Sequence, residues 1–163
     1  MGEKREYRVE DFLRSVKDAR IEKRRCEFRL EELRSQCERM TAAYGPSAGG
    51  AGELHKDALL IAAAEQSDEL RRKAALYVRR IAAVEEFIAT LPDLKQRTIL
   101  RLRYVDLLRW DGVKDGLREY GLYYEDRQMF RLHGSALTEA RKRFPGYAEK
   151  HPEIIPSGEA KAV

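Results

Sequence analysis

Apolar side chains between residues 9 and 44 recur at alternating intervals of three and four residues, through five heptads with one charged interruption, Lys23. A repeat of 3.5 residues keeps one apolar seam on the same side of a helix, and a partner surface must cover that seam. We therefore expect a long helix that pairs with another helix. The seam positions are Val9, Phe12, Val16, Ala19, Lys23, Cys26, Leu30, Leu33, Cys37, Met40 and Tyr44.

A second segment with the same repeat follows a glycine-rich stretch. Residues 45–53, GPSAGGAGE, favour neither helix nor strand and predict a loop. From Leu70 to Leu91 the apolar positions are again four and three apart. We expect helices over about 9–44 and 54–90 that fold back as a long antiparallel, coiled-coil-like hairpin, a domain spanning 1–90. The same seams could pair between two chains, so a homodimer through the hairpin also stays open.

Three shorter helices are predicted between residues 91 and 145. Pro92 marks a break, and Asp93 can cap the following helix, which places Leu94, Ile99, Leu102 and Val105 towards a core. The next helix starts near Trp110, and the last runs over about 125–144. This pattern predicts a small helix-turn-helix domain over 91–145, so the expected fold class is all-α. Residues 146–163 have no periodicity and predict a flexible tail.

The last of these helices carries residue types that contact DNA. Turning its apolar face inward leaves Arg127, Gln128, Arg131, Ser135 and Thr138 outward. Arginine can pair with guanine and glutamine with adenine, and short hydroxyl side chains hold phosphate. An earlier helix starting at Trp110 would brace this one against the DNA backbone. A solvated surface helix in a chain with 37% charged residues would show the same pattern, so a structural role stays open.

Two stretches of this C-terminal region resemble a known family. LPDLKQRTILRLRYVDLLRW and MFRLHGSALTEARKRF are similar to the C-terminal part of small phage and prophage proteins related to sigma factor region 4, such as the RinA- and ArpU-type transcription regulators. The matching points are the LRY after a helix, a Trp opening the next helix, and the RLHG-x-AL block. The resemblance implies a region-4-type fold, binding to double-stranded promoter DNA, and RNA polymerase as a further candidate partner.

Site residues follow from the resemblance by position. Arg127, Gln128 and Arg131 match the contact face of the recognition helix, while His133, within RLHG, either packs against the brace helix or contacts phosphate. From the helical pattern itself, independently of the resemblance, Arg101, Arg103 and Arg109 are expected to add phosphate contacts. The chain departs from the family pattern at two points: Lys114 replaces a small residue, and a longer turn, REYGLYYE, ends with Glu125 at the capping position.

Other classes of protein are disfavoured. The sequence shows no nucleophile with a base, no phosphate-cradling glycine loop and no metal-ligand spacing, so we expect no enzyme activity, no catalytic residue, no cofactor and no metal. Cys26 and Cys37 lie about 16 Å apart along one predicted helix and should stay reduced. No apolar run suits a bilayer and the N-terminus lacks a signal segment, which predicts the cytoplasm of a bacterial host and no membrane partner.

Two alternatives to a sigma-like regulator remain among binding proteins. A phage DNA-packaging small terminase-like subunit also combines a helix-turn-helix head with an oligomerising hairpin. A helical protein-interaction module would keep the head without DNA binding.

Overall fold

The computed structural model describes residues 7–43 and 50–156. Regular structure within these residues is entirely helical, which confirms the predicted all-α class. The five α-helices are α1 (Val9–Ala43), α2 (Ala51–Ala89), α3 (Leu94–Leu100), α4 (Trp110–Glu119) and α5 (Asp126–Lys150). A π-helical turn, Arg101–Val105, follows α3, and a 3₁₀ turn, Pro152–Ile154, follows α5. No helix in the described part of the chain has the length and apolarity that crossing a membrane requires.

Contacts divide the described residues into two compact units. The first, which we call the core unit, contains residues 7–19 and 80–156, and the second, the two-helix unit, contains residues 20–43 and 50–79. The sequence predicted a boundary near residue 90 instead. The core unit therefore includes the first turns of α1 and the last turns of α2 together with the C-terminal helices.

An aromatic cluster explains why these segments belong together. The rings of Phe12, Phe87 and Phe144 meet with centroids 5.4 to 5.8 Å apart. Tyr147 lies 5.1 Å from Phe87, and its hydroxyl donates a hydrogen bond to the Ala83 carbonyl at 3.3 Å. Each such aromatic pair contributes about 0.5–1.5 kcal/mol beyond the burial of its area. The cluster thus joins α1, α2 and α5 within one core.

The C-terminal end of α5 differs from the expected flexible tail. Proline lacks a backbone N–H and commonly ends a helix, yet α5 continues through Pro145 to Lys150. Ala148 is buried, and Ile154 in the following 3₁₀ turn is only 3% exposed. The Arg80 guanidinium also donates a hydrogen bond to the Ile154 carbonyl. Tertiary packing therefore outweighs the local effect of proline up to residue 156, while residues 157–163 of the predicted tail lie outside the described residues.

The first short helix after α2 begins at Leu94 as expected, but its helical path ends at Val105, earlier than expected. Asp93 caps α3 by accepting a hydrogen bond from the Lys95 backbone N–H at 2.7 Å. Ile99, Leu102 and Val105 are buried, but Leu94 is 67% exposed, which corrects its expected core position. Leu94 is the first residue of α3 and lies beside an open groove that the core unit leaves unfilled. The helical path ends before residue 108 because Leu107 adopts a left-handed conformation, with φ of 57°.

The two-helix unit buries its apolar seam only in part. Cys26 and Leu33 are buried, whereas Leu30 and Cys37 are half-buried, and both cysteines are free thiols. Two grooves are each lined by both helices, one by residues 21–29 with 70–77 and the other by residues 27–37 with 60–71. Of the predicted loop 45–53, residues 45–49 lie outside the described residues, and α2 already starts at Ala51.

Candidate nucleic-acid interface

The helix α4 ends in a well-defined turn. The Leu122 N–H donates to the Leu117 carbonyl and the Gly121 N–H to the Arg118 carbonyl, each at 2.9 Å, which is the hydrogen-bond pattern of a Schellman motif. Gly121 has φ of 75°, a conformation that a residue with a Cβ adopts only at a cost. The longer turn between α4 and α5 therefore has Gly121 at the left-handed position that follows the end of α4.

Gly116 is the point of closest approach between α4 and the π-helical turn. A Cβ at this position would lie 2.9 Å from Leu102 Cδ2. Val113 and Leu117 of α4 are completely buried beside it. The tight crossing of α4 with the π-helical turn thus lies at a residue without a side chain.

Lys114 connects α4 with the first residue of α5. Its Nζ donates a hydrogen bond to Asp126 Oδ1 at 2.6 Å. This hydrogen bond is the main reason why the pKa of Lys114 is raised. Asp126 would repel a phosphate if it stood alone at this end of the helix. Because Lys114 pairs with Asp126, the negative charge of this carboxylate is compensated electrostatically.

Glu125 caps the N-terminus of α5 in a capping box. Its side chain accepts a hydrogen bond from the Gln128 backbone N–H, and Gln128 Oε1 accepts one from the Glu125 backbone N–H at 3.1 Å. Glu125 thus serves as the N-cap of α5, as its position in the sequence suggested. Gln128 uses its side-chain oxygen inside the protein, while its amide nitrogen has no partner among the described residues.

His133 lies where α5 meets α4 and the π-helical turn. Its Nε2 is 3.1 Å from the Tyr104 hydroxyl, and its ring centroid is 4.9 Å from that of Trp110 in an edge-to-face arrangement. Burial, with a smaller contribution from the charge of Arg103, lowers the pKa of His133. A neutral, half-buried imidazole attracts phosphate weakly, so this geometry favours the packing role of the two expected for His133.

Arg103 and Ser135 also have partners inside the core unit. The Arg103 guanidinium donates to the Leu108 carbonyl at 2.8 Å and lies 4.7 Å from the centroid of the Trp110 ring, a cation–π distance. Ser135 Oγ accepts a hydrogen bond from Gln96 Nε2 at 3.0 Å. Both side chains therefore hold α5 and α4 in place, and their expected DNA contacts would compete with these bonds.

Arg109, Arg127 and Arg131 are the predicted site residues that stay exposed without a partner. None of their side chains makes a hydrogen bond, ion pair or ring contact within the described residues. Arg109 is the N-cap residue of α4. Arg127 and Arg131 are four residues apart, so they project from the same side of α5.

That side of α5 continues along the helix with two small residues. We call it the outer face and define it by Arg127, Arg131, Gly134 and Thr138, which follow one another at intervals of four, three and four. All four are exposed, while the opposite side of α5 is buried through Met129, Ala136, Ala140 and Phe144. Thr138 Oγ1 donates a hydrogen bond to the Gly134 carbonyl at 3.0 Å. Gly134 was missed by sequence reasoning, although it stands three residues after Arg131 in the RLHG block.

Within the described residues, no three His, Cys, Asp or Glu side chains come together as a metal site. The chain matches no protein-family model, no curated protein and no solved structure.

Proposed function

We propose that the protein is a sigma region 4-like transcription regulator of phage type that binds duplex DNA. In this proposal α4, the turn and α5 act as a helix-turn-helix, and α1 and α2 act as an antiparallel hairpin. The outer face of α5 is the observation that carries the proposal. It displays two unpaired guanidinium groups on a helix whose opposite side is held in a core.

The electrostatics at the start of α5 support this assignment. A recognition helix usually brings its N-terminal half to the major groove. Arg127 and Arg131 lie in that half of α5, where guanidinium groups can pair with guanine or phosphate. The acid in the same turn, Asp126, is paired with Lys114 at 2.6 Å. Arg109 lies at the N-terminus of α4, a position that commonly contacts the phosphate backbone.

Binding of purified protein to a random pool of duplex DNA, followed by selection of the bound fraction, tests the proposal. On the selected duplex, Arg131→Ala should weaken binding by about tenfold and reduce the slope of log K against log salt by about one. Arg143→Ala is the matched control, because Arg143 lies on another side of α5 and pairs with Glu139 at 2.7 Å. It should change affinity much less.

Two results would contradict the proposal. The first is that the unmodified protein retards no duplex at low salt. The second is that Arg127→Ala and Arg131→Ala bind as tightly as Arg143→Ala does. The mass of the free protein in solution provides an independent check, because a packaging subunit forms a ring of many chains, whereas a regulator with this hairpin is a monomer or a homodimer.

A protein-interaction module is the second candidate function, and a groove in the core unit favours it. The groove has a volume of about 310 Å³ and is lined by the end of α2, by α3 with the π-helical turn, and by Tyr120. Leu94 and Tyr120 are 67% and 64% exposed at its edge, and Arg97 and Arg101 also line it. RNA polymerase is the partner that the sequence resemblance suggests. In a pull-down with purified RNA polymerase, Arg101→Glu with Tyr120→Ala should abolish retention of the protein. A module of this kind should also retard no duplex at low salt, which distinguishes it from the first proposal.

A further inference from the structure

Gly134 lies in the middle of the outer face without any packing reason to be glycine. Glycine inside a helix lowers stability relative to alanine, because it loses more backbone freedom on folding. Some helical glycines make room for a neighbour, as Gly116 does for Leu102. At Gly134, however, an added Cβ would meet no atom within 4 Å. The core unit itself therefore gives no reason to omit a side chain here.

The chemistry of this position limits what could approach it. The Gly134 carbonyl already accepts a hydrogen bond from the Thr138 hydroxyl. The Gly134 N–H lies in the interior of α5, where it takes part in the helical hydrogen bonds. The surface at residue 134 thus offers no free donor to a phosphate oxygen. It offers a bare Cα, which suits a small apolar group at short distance.

We propose that Gly134 receives the methyl group of a thymine at the floor of the major groove. This inference rests on the proposed function, because it requires α5 to enter that groove. The thymine methyl is the apolar group that an A·T pair presents there. Arg131 lies one turn before Gly134 and can contact the adjoining base edge or phosphate. The missing side chain lets α5 sit closer to the bases than an alanine would allow.

Replacement of Gly134 by alanine separates this role from a structural one. Gly134→Ala should raise the melting temperature by about 2–4 °C, because it improves the helix. The same variant should bind the selected duplex about tenfold more weakly, the loss expected for one spoiled base contact. Gly146→Ala is the matched control, since Gly146 is also exposed in α5 and an added Cβ there meets nothing within 4 Å. It should raise the melting temperature with unchanged affinity.

Replacement of thymine by uracil in the selected duplex identifies the group that Gly134 contacts. Uracil differs from thymine only by the missing methyl group. At one position of the duplex, replacement of thymine by uracil should therefore weaken binding of the unmodified protein and strengthen binding of Gly134→Ala. Unchanged affinity of Gly134→Ala on the thymine duplex would overturn the inference. The inference would also be overturned if Gly134→Ala binds the thymine duplex more weakly but uracil restores its affinity at no position. Failure of the unmodified protein to bind any duplex would instead contradict the proposed function.

Discussion

Truncation of the chain after Pro145 tests whether the end of α5 belongs to the core. The truncated chain loses Tyr147, Ala148 and Ile154, and with them the hydrogen bond from Arg80. Burial of one large apolar side chain contributes about 1.5–3 kcal/mol, and each aromatic pair about 0.5–1.5 kcal/mol. Ile154 is 3% exposed, and Tyr147 is half-buried against Phe12 and Phe87.

Together these contacts amount to about 4–6 kcal/mol, which is a large share of the 5–15 kcal/mol that stabilises a typical domain. The melting temperature should fall by about 10–20 °C, at roughly 2–4 °C for each kcal/mol. Trp110 is the one tryptophan of the chain and lies in the core unit, so its fluorescence during urea unfolding reports the stability of that unit. Equal urea midpoints for the truncated and full-length chains would refute the reasoning.

Point mutations of Ile154 and Ile155 test the same packing of the segment after α5 against the core. Ile154 is 3% exposed and Ile155 is 42% exposed. Ile154→Ala should cost about 2–4 kcal/mol, because it leaves a cavity in the core. Ile155→Ala should stay within about 0.5 kcal/mol of the unmodified protein. If both variants unfold at the same urea concentration, Ile154 does not occupy the buried site described above.

Three further predictions concern the turn and the two helices around it. Gly121→Ala should destabilise the core unit by about 1 kcal/mol in urea unfolding, since a Cβ is strained at φ of 75°; unchanged stability would contradict the Schellman geometry. Lys114→Gln should weaken DNA binding and Asp126→Asn should strengthen it in low-salt titrations, whereas effects of the same sign would rule out the electrostatic compensation. Burial lowers the pKa of His133, so the unfolded chain takes up a proton first as the pH falls below about 6.5, and stability declines there. His133→Phe should lack this component of the pH dependence, and an unaltered pH profile would argue against a buried imidazole.

The exposed part of the candidate interface could be predicted from sequence, and its internal partners could not. Helical periodicity alone puts Arg127 and Arg131 opposite the apolar side of α5, and both are exposed. The bonds that engage His133 and Ser135 join them to Tyr104 and Gln96, which are 29 and 39 residues away in the chain. A pattern within one helix carries no information about such distant neighbours.

The sequence by itself determined that the chain is helical and where most of its helices begin. The heptads preceding Ala43, the aspartate at position 93 and the tryptophan at 110 are signals that act within a few residues of the helices they specify. Only the tertiary structure decided that α5 continues through Pro145. It also decided that the first turns of α1 share a core with the last turns of α5. The reason is physical: the local preference of proline is opposed by burial and aromatic contacts that Phe12 and Phe87 supply from distant parts of the chain.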